Sequence, residues 1–379
     1  MLRVHIRPHW EISFHSEPPL DTAALLGLLL WIHDSGSIAH AAKAVGLSYR
    51  YAWGLLREAE RLFGEKLIDS GRGRGTTLTP LSQKLVWADH RIAARLSPTL
   101  ESLASELESE LSRLTQGGLR TLRMDASHGF AVAALTGYLN RIEVPVELRY
   151  RTCSDALAAL ARRECDLAGF HTPEGKFEAP TLAHYLRWLD PEQHTLVHIA
   201  HREQGLMVAR GNPLGVQGLA DLARDGVRFV NRQSGSGTRM LLEMMLDDAG
   251  IAPDSINGYN SAEFTHSAVA AYIASGMGDV GLGVRPAAAR FGLDFIPLAR
   301  ERYFFALRTD ALAEPLMRQL VALLQDSMYH AMVDALPGYA AIDTGRTASL
   351  QDAFSTTQAI STEPTSKADS GLRVRKNSP

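Results

Sequence analysis

Apolar side chains recur at helical spacing from Ser48 to Phe63. Ala52, Leu55, Leu56, Ala59, Leu62 and Phe63 fall on one side, and Tyr49, Arg50, Trp53 and Arg57 on the other. A shorter helix, Ser37 to Lys43, precedes it with the small pair Ala41-Ala42, and Gly46 then allows a left-handed turn residue. Ser37 and Ser48 are placed to cap the two helices. The pattern predicts a helix-turn-helix with Ser48–Phe63 as recognition helix and Ala23–His33, capped by Asp21 or Thr22, as its apolar floor. Alternation over Leu2–Phe14 predicts a short strand or two that pair with a wing. That wing is the pair of extended runs Lys66–Ile68 and Thr76–Thr79 around Gly71-Arg72-Gly73-Arg74-Gly75. Ser48, Tyr49, Arg50, Trp53 and Arg57 are the candidate base and phosphate contacts, and Arg72 and Arg74 at the wing tip are aimed at phosphate or a narrow minor groove.

From Leu81 to Leu114 a long helical pattern is interrupted at Pro98. Leu96, Leu100, Leu103, Leu107, Leu111 and Leu114 recur at steps of three and four, which suits a dimerisation helix or a linker helix docked on its own chain. Gln116-Gly117-Gly118 marks a boundary. Strands then alternate with helices: Thr121–Met124, a helix to Leu139, Val144–Tyr150, a Ser154-capped helix, Asp166–Phe170; next Gly205–Ala209, Val227–Val230, a helix Met240–Ala249, another near Thr265–Ser275, Asp279–Val284 and Phe295–Pro297. Tyr303–Leu307 returns to the first unit, with helices near Ala311–Ser327 and His330–Leu336. The fold class is α/β: a winged helix-turn-helix (1–80), a linker or dimerisation helix (81–116) and a two-lobed clamshell joined by crossing strands (117–344). A polar, disordered tail (345–379) is expected to follow.

Composition narrows the function. A net charge of -3 excludes a globally basic nucleic-acid coat, but Gly36–Arg95 carries ten Lys/Arg against five Asp/Glu, so the basic surface sits on the helix-turn-helix. The two cysteines, Cys153 and Cys165, match no metal-ligand spacing. No metal or cofactor is expected, and the N-terminus lacks the apolar core of a signal peptide, which points to a cytoplasmic protein. Ser234-Gly235-Ser236-Gly237-Thr238-Arg239 between a strand and a helix reads as an anion cradle of backbone N–H groups and hydroxyls. Ser127-His128-Gly129 occupies the matching corner of the first lobe. Candidate ligand contacts are Ser127, His128, Arg232, Ser234, Ser236, Gly237, Thr238, Arg239 and His266, with His171 a further donor. Glu263 and Asp279 support the cleft or cap helices. Ser236 has no activating base in sequence, so an enzyme is not expected.

The segment SGSIAHAAKAVGLSYRYAWGLLREAERLFG, with GRGRGTTLTP after it, resembles the winged-helix domain of bacterial molybdate-dependent transcriptional regulators and, more distantly, of LysR-type regulators. The blocks REQGLMVARGNP, VRFVNRQSGSGTR, AEFTHSAVAAYIASGMGDVGLGV and DFIPLARERY resemble the periplasmic-binding-protein-like domain of cytoplasmic regulators, also found fused to molybdenum-cofactor biosynthesis proteins. The resemblance implies a homodimer, or a tetramer, that binds a double-stranded operator and senses a small anion, molybdate or tungstate first. One departure weakens the molybdate implication: a clamshell stands where such regulators carry small β-barrels. Alternatives are a LysR-like sensor of a small organic acid such as formate, and a molybdenum-cofactor handling protein or enzyme.

Overall fold

The computed structural model describes residues 2–13, 18–71, 75–115 and 120–354. Three helices, α1 (Thr22–Ser35), α2 (Ile38–Ala44) and α3 (Tyr49–Phe63), form the N-terminal core. Their caps are the ones the sequence offers: Asp21, Ser37 and Ser48 side chains accept from Ala24, His40 and Tyr51 N–H groups. Leu25, Leu28, Leu29 and Ile32 of α1 pack under Ala41, Ala42, Ala52, Leu56 and Ala59. Strands β1 (Ile68–Gly71) and β2 (Gly75–Leu78) pair antiparallel as the wing. The wing is tied to the core where Thr76 N–H donates to the Gly36 carbonyl at the end of α1. The expected tip contacts, Arg72 and Arg74, lie outside the described residues.

The expected N-terminal strand does not pair with the wing. Its backbone makes a single bridge, Ile12 to Leu20, and the segment before it reaches away, with Arg3 bonding Asn140 and Val4 N–H donating to Glu108. Val4 N–H is satisfied by the Glu108 carboxylate and Ile12 N–H by the Thr22 hydroxyl, so these backbone groups have partners without a sheet.

Helix α4 (Pro80–Thr115) runs unbroken through Pro98. Proline has no N–H to give the Ala94 carbonyl, and that carbonyl instead accepts from Thr265 Oγ1 at 3.2 Å. The interruption expected at Pro98 is therefore a docking point.

The C-terminal part is a two-lobed α/β domain. Its elements are β3 (Leu122–Ala126), α5 (Phe130–Arg141), β4 (Val146–Tyr150), α6 (Cys153–Ala161), β5 (Leu167–Pro173), α7 (Glu178–Tyr185), β6 (His194–Val208), β7 (Phe229–Arg232), α8 (Gly237–Asp248), β8 (Ala262–Glu263), α9 (His266–Ala274), β9 (Val280–Val284), α10 (Arg285–Arg290), β10 (Asp294–Arg308), α11 (Pro315–Leu324), α12 (Ser327–Asp334), β11 (Tyr339–Ala340), β12 (Thr347–Ser349) and α13 (Leu350–Phe354). The strand order is β4-β3-β5-β10-β6-β9-β7-β8. The sequence pattern shows only the Gly205–Ala209 end of β6 and two separate pieces of β10, Phe295–Pro297 and Tyr303–Leu307; each is one 15-residue strand, and the two pair from His194–Arg308 to Val208–Asp294 with shifts at Pro297/Ala299 and Tyr303/Phe304. Both therefore pass through both lobes. Two further expectations change. Thr152, not Ser154, caps α6, and Ser154 turns to His184. The polar tail does not begin at 345: β12 pairs with β6, and Leu350, Ala353 and Phe354 are buried against Phe304 and Leu196. Residues 355–379 are outside the described residues.

Strand β4 is a sheet edge, and α4 covers it. Ser105 Oγ accepts from Leu148 N–H at 2.8 Å and Ser102 Oγ from Tyr150 N–H at 2.9 Å, so the hydroxyls take the place of a neighbouring strand. On another side of the same helix Leu96, Leu103, Leu107 and Leu114 stay exposed. Ser102→Ala with Ser105→Ala removes the two acceptors, and a loss of about 1 kcal/mol for each is expected. Chemical denaturation of the full-length chain checks it; an unchanged midpoint would show that water replaces the hydroxyls at no cost.

Candidate functional site

Two surfaces carry the chemistry. On α3, Ser48, Tyr49, Arg50 and Arg57 are exposed. Trp53 is half-buried: it packs on the helical core, meets Tyr49 edge-on at 6.3 Å and lies under the Arg57 guanidinium at 5.7 Å. It orders the neighbouring contacts more than it presents itself.

The second surface is the cleft between the lobes. It is lined by Ser127 and His128 after β3, Tyr150 to Cys153 between β4 and α6, His171 on β5, Arg232 and Gln233 at the end of β7, Ser236 to Thr238 opening α8, and Phe264 and His266 at α9. Of the residues expected from sequence, Ser127, His128, Arg232, Ser236, Gly237, Thr238, His266 and His171 come together. Ser234 and Arg239 do not line it: Arg239 bonds Glu243 at 2.9 Å and stacks 4.6 Å over Tyr259, on the outer side of α8. Glu263 pairs with Arg95 of α4, and Asp279 with Arg228, so neither faces the cleft. Thr152 and Cys153 were missed, because the helix start was placed at Ser154; Gln204 and Arg202 were missed inside the unrecognised part of β6.

The lobes are closed. A Cβ added at Gly237 would stand 2.5 Å from the His171 ring across the cleft, which is why only glycine fits there, and the enclosed volume is about 20 Å³. Below the cleft lies a buried network on the crossing strands. Glu301 on β10, fully buried, accepts from Arg202 Nε at 2.8 Å and Gln204 Nε2 at 3.0 Å on β6, and meets His171 Nδ1 at 3.0 Å. Burial opposes its charge, but Arg202 and His171 hold its carboxyl far below the usual carboxylate range.

Hydrogen-bond direction then fixes what the cleft offers. Gln204 Nε2 also donates to Thr238 Oγ1 at 3.0 Å, and Arg239 N–H donates to Ser236 Oγ at 3.2 Å. Each hydroxyl is thus an acceptor on its protein side, leaving its own hydrogen for a ligand. Arg232 is buried and donates through Nη2 to the Phe264 carbonyl at 2.8 Å, while its Nε has no partner. Burial, with Arg202 nearby, pulls the guanidinium down to about 10, still charged at neutral pH. Arg151 is offset by Asp125 at 2.9 Å. No carboxylate neutralises Arg232 among the described residues. Burial lowers His128 to about 4 and His266 well below its ordinary value, so both rings are neutral, and His266 Nδ1 is unpartnered. Burial works against a charged Cys153, yet the His171 imidazole beside it brings the thiol down to about 7. The arrangement can hold a small anion; it also brings the Cys153 thiol, the His171 imidazole and the buried Glu301 carboxylate together in series at the cleft.

Comparison with known proteins adds the following. Residues 24–83 match the bacterial regulatory helix-turn-helix protein family, lysR type, and residues 137–325 match the PBP superfamily domain. The chain is 32% identical over 207 residues to the uncharacterized protein YvgK of Bacillus subtilis (strain 168), covering 54% of this chain and 65% of that one. It is 27% identical over 244 residues to the HTH-type transcriptional regulator CbbR of Xanthobacter flavus, 64% of each. It is 28% identical over 145 residues to the molybdenum-pterin-binding protein MopB of Rhodobacter capsulatus, 37% of this chain and 53% of that one. The chain thus spans less than two thirds of the length of these relatives. The N-terminal helices and wing are thus similar to the helix-turn-helix of lysR-type bacterial regulatory proteins, and most of the two-lobed domain, from within α5 to the end of α11, is similar to the PBP superfamily domain.

Proposed function

We propose that this chain is a cytoplasmic, DNA-binding transcriptional regulator, not an enzyme, whose two-lobed domain senses a small anion. The observation that carries the anion reading is Arg232: a buried guanidinium with an unpartnered Nε in a cleft whose lining holds no carboxylate. A buried, unpaired cation is costly, and a bound anion removes that cost. Molybdate or tungstate is the first reading, from the resemblance of the N-terminal segment, and the MopB likeness agrees with it. Formate or another small carboxylate is the second reading; an enclosed volume of about 20 Å³ has room for little more than one water, so either ion enters only if the lobes part. Ligand seated between Arg232 on one lobe and Ser127 and Thr152 on the other favours the closed form.

DNA binding rests on the exposed face of α3. Arg50 reaches a base edge and Arg57 a phosphate; the wing-tip arginines, Arg72 and Arg74, grip the backbone beside them. The leucine face of α4 pairs two chains, setting the spacing of the two recognition helices on a roughly palindromic operator.

Arg50→Ala is expected to cost about 1–3 kcal/mol of operator binding with relaxed preference at one base pair; a mobility-shift titration at fixed salt reads it, and wild-type affinity in the variant sinks the assignment. Leu103→Glu with Leu107→Glu places like charges in the seam and is expected to yield monomers by light scattering. An unchanged oligomer would put the interface elsewhere.

For the cleft, Arg232→Gln is expected to lower the affinity for molybdate or formate at least tenfold in calorimetry. Affinity has a signed pH dependence. Above about pH 7 the Cys153 thiolate stands in the cleft and repels an anion; below it the thiol is neutral, so binding strengthens as pH falls through about 7. Cys153→Ser is expected to flatten that profile between pH 6 and 8. Neither ion giving heat at millimolar concentration would remove the anion reading.

A further inference from the structure

Cys153 stands in the cleft with no role in holding an anion. It is the first residue of α6, after the Thr152 cap, so its sulfur lies at the positive end of that helix, and it lines the cleft while only 1% exposed. The His171 imidazole, bound through Nδ1 to Glu301 at 3.0 Å, hydrogen-bonds the thiol. Burial and Arg202 oppose a charge on His171, but Cys153 and Glu301 raise it to about 9, so the ring carries a proton at neutral pH. Thiol and proton donor both belong to the first lobe. Cys165, the other cysteine, does not line the cleft, and burial pushes its thiol up to about 12.

The second lobe faces this pair with donors. Arg232, 7% exposed, keeps its Nε unpartnered, and the Ser236 and Thr238 hydroxyls, each accepting on its protein side, have their hydrogens to give. A thiolate and a proton on one wall, with an oxygen-binding cradle on the other, are what the addition of a thiol to a carbonyl group requires. The enclosed volume of about 20 Å³ holds little more than one water, so the lobes part to admit a ligand and close again only on a short one.

We infer that Cys153 captures a small aldehyde as a reversible hemithioacetal that spans the two lobes. The thiolate lone pair attacks the carbonyl carbon and forms the S–C bond, the C=O π pair moves onto oxygen, and the His171 imidazolium gives that oxygen its proton. Nothing leaves and nothing is oxidised or reduced, so the reaction ends at the adduct and runs backward through the same groups. The new hydroxyl oxygen accepts from the Arg232 Nε–H, which joins a ligand bonded to the first lobe to a donor of the second. The inference uses the cleft residues of the anion reading but not its ligand, since the aldehyde is neutral and held by a covalent bond.

The test is carbon NMR of the full-length chain with isotope-labelled acetaldehyde. One hemithioacetal carbon signal is expected, half-saturated at an aldehyde concentration at least about tenfold lower than N-acetylcysteine needs. The chain has two cysteines, so Cys165→Ala leaves Cys153 as its one thiol, and the assignment does not depend on a Cys153 variant folding. Cys165→Ala is expected to keep the signal, Cys153→Ser to lose it, and Arg232→Gln to bring half-saturation back toward that of N-acetylcysteine. No signal from the wild type, half-saturation no lower than that of N-acetylcysteine, or a signal that survives Cys153→Ser or is lost from folded Cys165→Ala would each overturn the inference. Heat from molybdate or formate beside any of those results leaves the anion reading standing; the hemithioacetal forming where neither ion binds removes that reading and keeps this one.

Discussion

The arrangement of charge around Glu301 is the constraint on which the cleft depends. One fully buried carboxylate takes Arg202, Gln204 and His171, and nothing acidic remains for Arg232. Above about pH 7 the Cys153 thiolate is matched by the His171 imidazolium, which is raised to about 9, and below it the thiol is neutral beside the same imidazolium. Arg232 therefore keeps an uncompensated charge on both sides, and the site is the more positive at the lower pH. Gln204 extends the effect: committed to Glu301 and Thr238 by the same amide nitrogen, it turns the Thr238 hydroxyl into a donor. Because Arg202 and Gln204 lie on β6 and Glu301 on β10, the two strands that cross between lobes also carry the charges, and hinge and binding chemistry are one piece of structure.

Helix α4 joins this cleft to the DNA-binding end. Its Ser102 and Ser105 complete the β4 edge, its Arg95 pairs with Glu263, and its Ala94 carbonyl, freed by Pro98, receives the hydroxyl of Thr265. Thr265 caps α9, whose first residue is His266 at the cleft. One hydroxyl and one ion pair thus tie the β8–α9 corner at the cleft directly to the middle of α4.

The parts legible in sequence were those decided locally. The helix-turn-helix declared itself because its caps, its Gly46 turn and the two faces of α3 are all set within a few residues, and the strand–Ser/Gly–helix corner at α8 for the same reason. Long-range pairing hid the rest. His194–Gln204 did not look like a strand, since His198, His201, Arg202 and Gln204 break its apolar pattern; Arg202 and Gln204 are tolerated there because Glu301, about a hundred residues away, accepts from them, His201 because it pairs with Glu174, and His198 because its ring packs edge-on against Phe304. The serines of α4 read as a solvated face beside a more conspicuous leucine repeat, and only the position of β4 at a sheet edge gives them a role. Arg239 was assigned to the cradle by its place in the motif, but one helical turn carries it to Glu243 and Tyr259 instead.

The covered edge of β4 has a consequence for how the chain divides. A sensor fragment starting after α4 would keep its core but bare the outward N–H groups of Leu148 and Tyr150, a strand edge open to pairing with another fragment. The sheet edge is therefore completed from outside the two-lobed domain: the C-terminal half of α4 belongs to the sensing unit by its hydrogen bonds, although it precedes that domain in sequence.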